Sequence, residues 1–227
     1  MPELIYVSAP LDHKLVSGDF GVISGSFDPP TLAHLALAEA LREEGCRQVL
    51  LLYSVRTLPK EESPLSPGGR AEPPLLDHEE RARCLAELTR RRPWLFAAVC
   101  MESLIEEQAL LIARRFPDAH PIFGVGSDKL IQIFDPSWYS DHLASFERLF
   151  DAASLAYAIR AGEESGVSQT LESNERFASK IRKLSLSPAL AEVSSREVRR
   201  MLSEGTLPEE VPEEIGEIVL EAVRSKS

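Results

Sequence analysis

Residues 21–45 read GVISGSFDPPTLAHLALAEALREEG, and they divide into a strand, a tight turn and a helix. Phe20–Ile23 is a short apolar run suited to a central parallel strand. Gly25-Ser26 and Pro29-Pro30 bracket a loop in which Gly25 admits a ligand close to the backbone and the prolines stiffen the exit. A helix is expected from Thr31, with Leu37, Ala38 and Leu41 on one face and Gly45 as its stop. Its first N–H groups and its dipole predict an anion site at Thr31–His34, with a phosphate as the usual guest. His34 adds an imidazole one turn in.

The rest of the composition limits what that turn can serve. In 227 residues with 44% hydrophobic content there is material for one α/β domain, or for one domain plus a small appendage. The net charge of −11 argues against a broad nucleic-acid or anionic-membrane footprint, so basic residues at a phosphate site must be local. Cys46, Cys84 and Cys100 form no metal or redox spacing and read as buried or free thiols in a reducing compartment. With no long apolar span and no secretion signal, a cytoplasmic or nuclear place is expected. No metal-ligand cluster, Ser-His-Asp spacing or Walker A loop is visible.

Further strands are expected at 48–53, 95–100, 121–126, 154–160 and, at an edge, 181–187. Two strands joined by the first helix make a parallel βαβ unit, whose ligands sit at the carboxyl ends. The expected fold is therefore α/β, a doubly wound parallel sheet with helices on both faces. Residues 18–227 form a single domain with C-terminal helices, and 1–17 an extension or edge strand. The segment Ser54–Asp77 is too long for a connector, and Glu61–Pro74 suits a surface insert. Asp77 caps a helix to about Arg91, with Arg81 at the margin of its buried face. Another helix runs from about Glu102 to Arg115, and 161–178 is polar enough for a loop with one helical turn near Asn174–Lys180. Gly126-Ser127-Asp128 follows the fourth strand; Asp128 suits an N-cap or a ribose-hydroxyl acceptor. Trp138 lies in a loop, and Arg160 ends the fifth strand. Ser194-Ser195 opens a helix carrying Arg199, and Pro212–Arg224 is the last helix.

These stretches carry a family resemblance. GSFDPPTLAH (25–34) is similar to the GxFDPxHxGH signature of the nucleotidylyltransferase superfamily, in particular its nicotinamide/nicotinate mononucleotide adenylyltransferases. It departs at Thr31, in the first histidine's place, and at Ala33, in a glycine's place. GSDKLIQIFDPSWY (126–139) resembles the family's G-x-D segment, with IFDPSWY closest to a fungal and plant branch. SSREVR (194–199) resembles ISSTxxR, with Arg196 in the threonine's place. Together the resemblance spans roughly Gly18–Ser203.

The resemblance implies a Rossmann-like nucleotidylyltransferase fold and transfer of AMP from ATP to nicotinamide (or nicotinate) mononucleotide, releasing pyrophosphate. It implies His34, Thr31, Lys60 and Arg199 as catalytic residues. ATP falls to Gly25, Ser26, Phe27, Asp28, His34, Gly126, Asp128, Ser194, Ser195 and Arg199. The mononucleotide falls to Ser26, Phe27, Lys60, Trp138 and Arg160, with Trp138 stacking on the pyridine ring. Mg²⁺ would arrive on the ATP phosphates rather than in a protein cage. A homo-oligomer is compatible with all of this. Two other readings stay open: a phosphopantetheine or CTP-dependent transferase, and a weakly catalytic nucleotide-binding module, to which Ala33 and Arg196 point.

Overall fold

The computed structural model describes residues 3–8, 18–56, 74–160, 162–191, 193 and 195–226, with Pro188 and Arg196 described by backbone alone. In chain order the elements are β1 (Ile5–Tyr6), β2 (Gly18–Gly25), α1 (Leu32–Glu43), β3 (Val49–Ser54), α2 (His78–Arg90), β4 (Leu95–Cys100), α3 (Ile105–Arg115), β5 (Ala119–Gly126) and α4 (Ser127–Ile133). A 3₁₀ turn (Pro136–Trp138) follows, then α5 (His142–Ala152), β6 (Ser154–Ala158), α6 (Glu164–Ser173), β7 (Ile181–Lys183), α7 (Pro188–Ala191), α8 (Ser195–Ser203) and α9 (Gly216–Lys226).

The seven strands form one sheet in the order β1-β4-β3-β2-β5-β6-β7. Every pairing is parallel except that of β1, which lies antiparallel on β4 at the edge. The cause is visible in β3, VLLLYS. Val49, Leu51 and Tyr53 enter one core while Leu50 and Leu52 enter the other, as the period of two requires for a strand covered on both faces. Residues of α1, α2, α8 and α9 fill the first core, and residues of α3, α4, α5 and α6 the second. This is the doubly wound architecture expected from the sequence. Close seating of α1 depends on Gly124: a Cβ there would stand 2.7 Å from Ile23 Cδ1 and 3.0 Å from Leu41 Cδ1.

The chain runs out from β2 to β3 and β4, then returns to place β5 on β2's other side. That reversal is the switch point where ligands bind in such sheets. Pairing of β2 with β3 runs to Gly25–Tyr53, whereas pairing of β2 with β5 ends at Val22–Phe123. Beyond it, Ser24-Gly25 and Val125-Gly126 flank an unpaired gap at the carboxyl edge.

Some expectations need correcting. Residues 164–173, read as loop, form α6. Only Val167 of that helix is buried, so its apolar signal was too thin to read, and one side of it packs at Gly166 near Ile131. Arg81 is not at a margin but 7% exposed inside the first core's upper end. The strand at 181–187 shortens to Ile181–Lys183. The insert 61–73 lies outside the described residues.

All three cysteines are buried and unbridged. Burial pushes the thiols up to about 11 for Cys46 and about 12 for Cys84 and Cys100. Because the thiolate is the reactive form, a thiol reagent at pH 8 should label none of the three in the folded protein and all of them after denaturation. Mass spectrometry of the two samples checks this, and labelling of a folded thiol would contradict it.

Among the described residues no helix is long and apolar enough to cross a membrane.

Candidate functional site

The loop from Ser24 to Pro30 is built to hold one shape. Phe27 has a left-handed backbone (φ 48°), a strained conformation for a side-chain-bearing residue, and the Asp28–Pro29 peptide is cis. This turn sends the Phe27 ring into the core at 1% exposure, 5.0 Å from the His34 ring centroid. The side chain of Phe27 is thus committed to the core, and what it leaves toward the gap is its backbone. Ser24, Gly25 and Ser26 remain partly exposed at the gap.

Asp28 is also turned inward, at 6% exposure. Oδ1 accepts from the Leu76 N–H at 2.7 Å and lies 3.4 Å from Arg81 Nη2; Oδ2 accepts from the Leu75 N–H at 3.1 Å and lies 3.9 Å from Arg199 Nη1. Both oxygens thus have partners within the protein, and Asp28 acts as a clasp between the loop, α2 and α8. Arg81 completes it: Nε donates to Leu76 O at 2.8 Å and Nη1 to Ser26 O at 3.2 Å. The pair with Arg199 joins the loop after β2 to α8, bringing together the first and last motifs of the sequence.

His34 sits at the third position of α1. Its Nδ1 accepts from the Thr31 N–H at 3.0 Å and lies 2.9 Å from Thr31 Oγ1. A backbone N–H can only donate, so Nδ1 is the acceptor and Nε2 carries the ring proton. Nε2 lies 3.7 Å from where a Cβ on Gly25 would stand, so the glycine opens the space in front of the imidazole. Thr31 is 1% exposed and faces His34. Its buried side chain orients the imidazole. The helix end is less open than expected as well. Leu32 N–H donates to Glu210 O at 2.8 Å, and His34 N–H to Thr31 O at 3.0 Å. An anion at this end therefore depends more on the imidazole than on the helix N–H groups.

Across the gap, a Cβ on Gly126 would stand 2.9 Å from Asp128 Oδ1, so glycine lets that carboxylate fold back over the strand end. Asp128 is half exposed and pairs with Arg160 Nη1 at 3.8 Å. Arg160 Nη2 donates to Val193 O at 3.0 Å, and its N–H to Ser127 Oγ at 3.0 Å. Arg160 thus stands with Asp128 at the carboxyl end of the sheet. On α8, Ser195 is half-buried, and Arg199 Nε is buried with no hydrogen-bond partner among the described residues. Trp138 closes the 3₁₀ turn after α4, half-buried, its indole N–H unpartnered among the described residues. Lys60 and Ser194 lie outside the described residues.

Sequence reasoning missed the clasp of Asp28, Arg81 and Arg199. The signal was present only as three charged residues near apolar positions, and nothing in their spacing pairs them.

Comparison with known proteins bears on this geometry. A family model described as cytidylyltransferase-like matches residues 22–201. A protein of Lachnoclostridium phytofermentans named as a probable nicotinate-nucleotide adenylyltransferase is 27% identical over 197 residues, 82% of this chain and 87% of that protein. A Roseiflexus castenholzii protein of the same name is 42% identical over 60 residues, which span 26% of this chain and 28% of the relative. Among solved structures, the Plasmodium falciparum nicotinic acid mononucleotide adenylyltransferase complexed with NaAD is similar in fold. Its TM-score is 0.55 at 16% identity, over 92% of this chain and 96% of that one.

Proposed function

The chain belongs to the cytidylyltransferase-like family, and from that premise we propose that it transfers the adenylyl group of ATP to a pyridine mononucleotide, forming a dinucleotide and pyrophosphate. The observation that carries this is the Asp28–Arg199 pair, which draws the glycine loop and α8 to one site beside His34. The names of the relatives favour nicotinate mononucleotide as the first acceptor to try, with nicotinamide mononucleotide beside it. The reading takes 18–227 as one nucleotidylyltransferase domain, 1–17 as an extension, and a cytoplasmic place.

The chemistry asks little of the protein beyond position and charge. A phosphate oxygen of the mononucleotide attacks the α-phosphorus of ATP. The new P–O bond forms as the bond to the β-phosphate bridging oxygen breaks, and pyrophosphate takes the electron pair. The attacking phosphate is already anionic, so no side chain needs to act as base or nucleophile. In this reading the His34 Nε2–H donates to a non-bridging α-phosphate oxygen. Arg199, Ser195 and the start of α8 hold the β- and γ-phosphates. Gly25, Ser26 and Gly126 let nucleotide lie against backbone, and Asp128 accepts from ribose hydroxyls. Among the described residues no cluster of three or more His, Cys, Asp or Glu could hold a metal ion. Mg²⁺, when bound, would be liganded by the ATP phosphates and water, where it neutralises charge.

The deciding assay is product formation from a panel of mononucleotides and phosphopantetheine, each offered with ATP and with CTP. Dinucleotide from a pyridine mononucleotide and ATP is expected. Binding without turnover would replace this reading by a nucleotide-binding module.

Two mutants sharpen it. Arg199→Ala should weaken ATP far more than AMP, which lacks the β- and γ-phosphates; equal loss for both would reduce Arg199 to a partner of Asp28. Stacking of a base on an aromatic ring contributes about 1–3 kcal/mol. Trp138→Ala should therefore raise the mononucleotide KM roughly ten- to a hundredfold and leave the ATP KM nearly unchanged. An unaltered mononucleotide KM in a stably folded mutant would remove the stacking role.

A further inference from the structure

His34 is not the only imidazole held through its Nδ1 at the carboxyl edge. Tyr53 lies in register with Gly25 on the neighbouring strand and is 1% exposed. Its hydroxyl is hydrogen-bonded with Nδ1 of His78, the first residue of α2. Arg81 Nη1 lies 3.4 Å from the same hydroxyl and 3.2 Å from Ser26 O. A guanidinium has only donors, so it addresses the phenol oxygen, which is left free to exchange its other hydrogen bond with His78 Nδ1. With Nδ1 engaged by the phenol, Nε2 is the ring nitrogen of His78 left for a ligand. Unlike Tyr53, His78 is exposed.

The two imidazoles follow adjacent strands, each at the start of the next helix. A single guanidinium links the His78 support to the backbone of Ser26. Asp128 and Arg160, on the ATP side, lie beyond β5 on the other flank of β2. Resting on the function proposed above, we propose that His78 is a further acceptor-binding residue. Its Nε2–H donates to the phosphate of the mononucleotide on the β3 side of the loop, and Tyr53 is the positioning residue that holds the ring. Nothing in the family signature contains either residue. An exposed histidine needs no buried tyrosine to remain folded, and a buried phenol satisfied by an exposed ring is an arrangement that fixes the ring's direction.

The test separates this from the wider reading by measuring binding rather than turnover. Dissociation constants for nicotinate mononucleotide, nicotinamide mononucleotide and ATP are taken by calorimetry on wild type, His78→Ala, His78→Gln and Tyr53→Phe. His78→Ala should weaken both mononucleotides about ten- to a hundredfold, as expected for loss of a hydrogen bond to a charged group, with ATP within twofold. His78→Gln, whose amide can donate, should recover part of the loss. Tyr53→Phe should show a smaller loss of the same selectivity, with the melting temperature recorded as a control. The melting temperature of the His78 variants is recorded as well, because the imidazole is a partner of the buried Tyr53 hydroxyl. The inference is overturned if the His78→Ala constants stay within twofold, if ATP falls equally, or if wild type binds neither mononucleotide. A loss confined to the nicotinate form also overturns it, since the ring carboxylate and not the phosphate would then be the partner. A wild type that binds mononucleotide through His78 yet forms no dinucleotide would uphold the inference while removing the transferase reading.

Discussion

Replacing His34 by alanine should lower turnover about 10²–10³-fold, the usual cost of removing one donor aimed at developing charge. ATP affinity should change far less. The expectation rests on the direction of the ring. Thr31 fixes Nδ1 as an acceptor through its backbone N–H, which commits the proton to Nε2, and Gly25 clears the space before it. In the transition state the negative charge of the attacking phosphate, the α-phosphate oxygens and the departing pyrophosphate is gathered around one phosphorus, so a donor there acts mainly on the transition state. His34→Gln is the informative companion, because its amide can donate but lacks the Thr31 anchor; it should fall between wild type and alanine. Steady-state kinetics with ATP titration by calorimetry separates the two effects. A His34→Ala enzyme within a few-fold of wild type would sink the assignment, and one whose ATP affinity falls in step with kcat would make His34 a ground-state binder.

The second large effect is expected on stability. Asp28→Ala removes a carboxylate that accepts two backbone N–H groups and faces two guanidinium groups while almost wholly buried. Breaking such a buried pair from one side typically costs about 3–5 kcal/mol, because the partner charge is left uncompensated. Arg81 takes most of that penalty, since its side chain is 8% exposed whereas that of Arg199 is 28% exposed. Asp28→Asn should cost less, since an amide oxygen can keep one N–H acceptor role. Urea denaturation of both variants measures the difference. If Asp28→Ala unfolds within 1 kcal/mol of wild type, the clasp is ornamental and its proposed part in uniting the two motifs goes with it.

The parts of the molecule written in short range were legible before the fold was known. VLLLYS and LFAAVC are continuous apolar runs, and only a strand buried on both faces needs them. GSFDPPT carries its own turn chemistry, and the place of the crevice followed from strand order. Long-range polar partners were not legible. Asp28 reads as a turn residue, Arg81 as a charge on a helix rim, and Arg160 as a basic residue near a strand end. Each meaning changed only when folding brought a particular partner within reach: Leu76, Ser26, Asp128. The helix α6 was hidden for a different reason, since only Val167 of it is buried and hydrophobic spacing had nothing to report.

The bond from Leu32 N–H to Glu210 O has a consequence for the order in which the site is made. The ribosome delivers β2 and the start of α1 early, yet the partner that completes the first turn of α1 belongs to the stretch just before α9. Contacts between residues so far apart in sequence are late ones, because the intervening chain must first be ordered. The first turn of α1 therefore stays unfinished until Glu210 has been made and brought to it. In pulse-labelled refolding, protection of the Leu32 amide should appear together with that of α9 and after that of β2. Protection that arrives with β2 would show that the helix end closes without its distant carbonyl.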